Sequence, residues 1–168
     1  LNNTTESGNT VTQTGKTAPA GQSNLYGRFV PGTTGKLVID GVPVFNSDIV
    51  AAIGNTGYKT LADAVEAVKD NETITLLKNV TVTKPIEVTK SMTLDLNGHV
   101  LTAATASTAT VKNSAIWVTA QNVNLTIDGT TAGSGMKMGD THETEWTKKV
   151  WGFVDLRDGS AGSTVTVN

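Results

Sequence analysis

The chain has 168 residues, enough for one ordinary domain. Its net charge is −2 and it carries no basic run interleaved with aromatics, which sets nucleic acid aside as a partner. There is no cysteine, so disulfides, zinc–thiolate sites and thiol nucleophiles are excluded, and no apolar run approaches the ~20 residues that insert across a bilayer.

Charged residues make up 17% of the chain, and threonine, with 29 residues, takes much of their place. Thr is β-branched and suits a pleated surface half open to water; the plentiful Asn and Gly suit tight corners. Both point to an all-β chain.

Residues 1–24 are polar and Thr/Gly/Asn-rich, with almost no large apolar group. Alone they cannot bury enough surface to offset their ordering entropy, so they read as a tail or as a strand exchanged with a neighbour. The chain opens on Leu1 without a charged-then-apolar leader, as expected of a mature secreted chain or of part of a longer one. In residues 36–45, Asp40-Gly41 between two apolar runs predicts a hairpin, and Pro43 places its second arm at a sheet edge.

Residues 60–70 predict the one helix. Thr60 is a good N-cap with Asp63 three residues on, and Leu61, Ala64, Val65 and Val68 recur at helical spacing. Asp70-Asn71 is the expected stop, and Asp63, Glu66, Lys69 and Asp70 form a solvated face.

From Glu72 the period changes to 2 and a block recurs. Residues 85–98, opening Pro85-Ile86-Glu87-Val88, align with residues 115–129, opening Ala115-Ile116-Trp117-Val118. The alignment sets Ile86 with Ile116, Val88 with Val118, Leu94 with Leu125 and Leu96 with Ile127, and a weaker third copy runs from Gly152 to Gly159. The offsets are 30 to 31 residues. A single two-strand block cannot bury its own apolar row, but stacked blocks can. An antiparallel sandwich would share the alternation without repeating the same block in register. The expectation is a parallel β-solenoid over residues 25–168, with helix 60–70 capping its N-terminal end. The alternating stretch 163–168 is a strand with no cap after it, which suggests stacking on another copy or domain.

Three stretches carry a resemblance: residues 58–68, residues 72–80 and residues 92–102, the last reading Met92-Thr-Leu-Asp-Leu-Asn-Gly-His-Val-Leu-Thr102. Together they resemble the start of the right-handed β-helix of pectate-lyase-like bacterial cell-surface and adhesin-type proteins, over about residues 50–130. The resemblance implies a right-handed parallel β-helix with an N-terminal capping helix, and an extracellular setting. It implies no single activity, since that fold carries lyases, hydrolases and inert stalks. The polygalacturonase-type signatures of that superfamily are absent. The nearest approach to a lyase's carboxylate cluster and arginine base is Asp155-Leu156-Arg157-Asp158.

The chemistry-bearing residues are few. Glu87 and Trp117 each lie between inward aliphatics and should point outward from adjacent coils, with Asp95, Thr126 and Asp155 as a second outward column. An exposed Trp beside carboxylates can stack on a sugar, so Glu87, Trp117, Asp95 and Asp155 are the candidate glycan-binding residues. Cover of Trp117 by the 131–149 loop, with its Trp146, or by a partner subunit is the plainer alternative. His99 follows a turn, and His142 lies in the acidic loop 140–145; neither predicts a catalytic or metal site, and no cofactor is expected. The functional expectation is a non-enzymatic, secreted or surface structural module that assembles with copies of itself or neighbouring domains, with a glycan-binding adhesin as the alternative and a polysaccharide lyase or hydrolase as the third reading.

Overall fold

The structure, a computed structural model, describes residues 10–13, 36–39, 42–45, 47–107, 113–139 and 152–168. The described residues are mostly β, with one short helix and with parallel and mixed sheets. A small sheet has the order β1 (Thr10–Gln13), β2 (Lys36–Ile39), β3 (Val42–Val44). In it β1 runs parallel to β2 of its own chain, and β2 and β3 are antiparallel. Pro43 thus sits on an edge strand, as expected of a residue with no N–H to give. The Asp40-Gly41 turn and the rest of the 1–24 segment lie outside the described residues.

Strands β4 (Ala51–Ile53) and β5 (Thr56–Tyr58) form a hairpin, and α1 (Leu61–Ala67) follows. The Thr60 hydroxyl accepts the Asp63 N–H at 3.0 Å, which is the predicted N-cap. Leu61, Ala64, Val65 and Val68 are buried, so the apolar stripe is the face α1 presents to β4, β5 and β8. The helix ends at Ala67, earlier than Asp70-Asn71. Two side chains explain this. The Lys69 N–H turns to the Glu72 carboxylate at 2.9 Å, and the Lys90 ammonium donates to the Glu66 and Val68 carbonyls at 3.0 and 2.7 Å. The terminal carbonyls are satisfied from the next turn of chain and the ladder stops. Asn71 does take the left-handed conformation, with φ 65°, but in the loop after the helix.

The remaining strands fall into three sheets: β6 (Glu72–Leu76), β9 (Met92–Asp95), β12 (Asn124–Asp128) and β15 (Thr164–Val167); β7 (Val80–Val82), β10 (Val100–Ala103) and β13 (Gly135–Met138); β8 (Ile86–Val88), β11 (Ser114–Val118) and β14 (Gly152–Leu156). Each strand pairs in parallel with the strand three later in the chain, and β4 joins the first sheet antiparallel to β6. The offset between partners grows along the chain: Glu72 pairs with Met92, Ile86 with Ile116, Leu101 with Met136 and Asn124 with Thr164. The added length falls between β10 and β11 and between β13 and β14, so the sheets stay in register while the sequence between partners lengthens.

Inward side chains line up across each sheet. Ile74, Leu94, Ile127 and Val167 form one row; Met92, Leu125 and Val165 a second; Val88, Val118 and Leu156 a third. Each fully buried member is worth roughly 1.5–3 kcal/mol. Ile86 pairs with Ile116 and Val88 with Val118, as the repeat predicts. The second strand of the repeat differs: Leu94 faces Ile127, and Leu125 faces Met92. A slip of two residues keeps every side chain on its own face, so alternation alone does not choose between the registers. Buried Met92 chooses, by completing the row with Leu125.

Candidate functional site

The outward face of the β8–β11–β14 sheet carries Glu87, Trp117 and Asp155 side by side in one row across three adjacent strands. The first two stand together as the repeat predicts. Asp155 joins them, and not Asp95, because the third copy is displaced and β14 pairs with β11. Asp95 lies in a different sheet, in a row with Thr75 and Asp128, and Thr126 stands beside Thr93 and Thr166. The expected second outward column of Asp95, Thr126 and Asp155 is therefore split three ways.

The Trp117 face is occupied. The Arg157 guanidinium lies 4.0 Å from the centroid of its ring, and Arg157 Nε stands 3.2 Å from Asp155 Oδ2. The backbone sets this up, since the Arg157 N–H donates to the Val118 carbonyl at 2.9 Å just past β14. The result is a stacked cation between an indole and a carboxylate, a geometry that suits packing of one strand on the next. It takes up the ring face on which a sugar would stack. Glu87 is exposed and lines a cleft together with Glu66 of α1 and Lys90, which follows β8. The Trp146 that would cover Trp117 lies outside the described residues.

Asp95 and Asp128 serve corners. Asp95 Oδ1 accepts the Asn97 N–H at 2.8 Å, and Asp128 Oδ1 accepts the Thr130 N–H at 3.0 Å. The backbone N–H and hydroxyl of Thr130 hold the Asp128 carboxyl below the usual aspartate range, against a smaller opposing effect of burial. Asn97 and Gly98 both have positive φ, 47° and 79°, and the His99 N–H closes that turn on the Leu96 carbonyl at 2.7 Å. His99 thus sits at a corner between sheets. Loop 140–145, with His142, lies outside the described residues. Among the described residues, no group of three His, Cys, Asp or Glu is placed to hold a metal.

The feature that side-chain chemistry did not predict is a row of apolar ends. Among the described residues the exposed large hydrophobics are Met136 (38%), Leu156 (49%) and Val167 (54%). They sit on β13, β14 and β15, the last strand of each parallel sheet. Each continues an inward row whose previous member, Leu101, Val118 or Ile127, is wholly buried. The uncapped 163–168 strand was legible; Met136 and Leu156 were not, because their rows depend on offsets of 35 and 38 residues rather than 30.

No family model matches the chain, and neither a curated protein nor a solved structure does. Among the described residues, no helix is long and apolar enough to cross a membrane.

Proposed function

We propose that the chain is a right-handed parallel β-helix that serves as a non-enzymatic structural module of an extracellular surface assembly, extended at the edge formed by β13, β14 and β15. The recurrence of parallel pairing every third strand supports the solenoid reading. The observation that carries the function is the uncovered end of the core at Met136, Leu156 and Val167. An edge of unpaired strand backbone beside apolar inward side chains is a template for further strands. The partner is another copy or a neighbouring domain of a longer surface protein that lays its own strands on that edge.

Sedimentation velocity and electron microscopy of the chain over a rising concentration series test this. The wild type should form larger species, and the double variant Leu156→Lys, Val167→Lys should stay monomeric with an unchanged circular dichroism spectrum. Both positions are half exposed, so lysine there leaves the folded core intact. A double variant that assembles as the wild type does sinks the proposal.

A further inference from the structure

The opposite edge of the sheets is closed unevenly. The β4–β5 hairpin pairs onto β6, and α1 packs against β8. Among the described residues no strand pairs with the outer side of β7. There a groove of about 380 Å³ opens, with Val50, Leu61, Val80, Val82 and Ile86 among its lining.

The backbone at this edge is aimed outward. Along a strand, the N–H and C=O of one residue point to one side and those of the next residue to the other. The Val82 carbonyl accepts the Ala104 N–H at 2.8 Å, so Val82 points its peptide groups at the β10 side. Thr81, which lines the groove, therefore turns its own into it. The groove combines what an added strand requires: a strand edge with donors and acceptors in line, and an apolar floor that continues the row of Val80, Leu101 and Met136.

Its charge selects the occupant. Among the described residues, the charged ones lining it are Lys59 and Lys84, and no carboxylate lines it. Lys59 makes a 3.9 Å, solvent-exposed pairing with Asp48 outside it.

We propose that this groove binds an extended, acidic segment of another polypeptide as a fourth strand on β7, with alternate apolar side chains on the groove floor and carboxylates toward Lys59 and Lys84. The site lies at the other edge from β13, β14 and β15 and does not depend on assembly there.

Fluorescence anisotropy of a labelled, end-blocked hexapeptide alternating Val and Glu, titrated with the full chain, tests the site. Thr81→Pro removes the donor that faces the groove and leaves the Val82 bond to β10 in place, a position where an edge strand accepts proline. Saturable binding is expected. Thr81→Pro should weaken it about tenfold, the scale of losing a well-placed backbone hydrogen bond. The Lys59→Glu, Lys84→Glu pair should weaken it by a comparable factor without touching the backbone. A hexapeptide alternating Val and Lys should not bind. Leu156→Lys with Val167→Lys should leave the affinity unchanged, which separates this site from the assembly edge. The proposal is overturned if the wild type shows no saturable binding, if neither the proline nor the charge variant weakens it, or if the groove takes a second copy instead, seen as self-association that Thr81→Pro removes.

Discussion

The sheet built on β6, β9, β12 and β15 meets two different fates at its two edges. On one side β4 pairs with β6 and turns back through β5, and Ile74 at that edge is fully buried. On the other side β15 has, among the described residues, β12 as its one strand neighbour, and Val167, in the same inward row as Ile74, is 54% exposed. Composition does not separate the two edges, since both rows are aliphatic. The difference is the polar-faced cover laid over one of them. The last strand of a sheet keeps its core row dry only where another element lies over it. At the β6 edge that element is the β4–β5 hairpin, and a seven-residue helix packs beside it.

Truncating one row at two depths separates the two edges most strongly. Ile127→Ala removes a wholly buried side chain between Leu94 and Val167 and should cost about 2–5 kcal/mol in urea denaturation. Val167→Ala removes a side chain already in water and should cost less than about 1 kcal/mol. If Val167→Ala costs as much as Ile127→Ala, the β15 edge is covered and the contrast is lost.

The closed edge makes a smaller prediction. Thr60→Ala removes the one side-chain bond seen at the start of α1 and should cost about 1 kcal/mol, with earlier exchange of the Asp63 amide. An unchanged midpoint would mean that α1 is held by packing of Leu61, Ala64, Val65 and Val68 alone. At the open edge, Arg157 ties β14 to β11 from the outside. Arg157→Ala should shift the Trp117 fluorescence emission and cost about 0.5–1 kcal/mol. An unmoved emission spectrum would show that the cation does not rest on the ring in solution.

The helix and the first strand of the repeat were legible because their signals are short-range or invariant. Thr60, Leu61, Ala64, Val65 and Val68 speak within two turns, and Ile86 and Ile116 sit at the offset of 30 residues that the first strand of the repeat displays. What failed depends on register. Moving Leu125 from Leu94 to Met92 changes no in–out pattern, so the alternation is silent on it. Asp155 left the Asp95 row for the Trp117 row because the third copy is delayed by the long 139–151 connection. Lys90 on the carbonyls of α1, and Arg157 on Trp117, are contacts between segments that no local pattern announces. The β-rich character and the parallel pairing of the repeat were therefore readable, and the membership of each face was readable only where one offset held.

The smallest effect concerns the corner that anchors the open edge. Asp128 ends β12, and next to it the Gly129 N–H donates to the Asn168 carbonyl just past β15, at 3.1 Å. Because Thr130 lowers the folded-state pKa of Asp128, the folded form prefers the ionised carboxylate. Its contribution is present above the ordinary aspartate range and is lost as pH falls through the lowered value. Thr130→Val keeps the backbone donor and removes the hydroxyl, so the Asp128 pKa should rise part of the way toward an ordinary aspartate, as read by NMR titration of its side-chain carboxyl. The stability difference between variant and wild type that arises from this group should be present at neutral pH and close in acid. A titration midpoint that does not move on Thr130→Val would leave the backbone N–H as the sole anchor of that corner, and β15 correspondingly freer to accept a new neighbour.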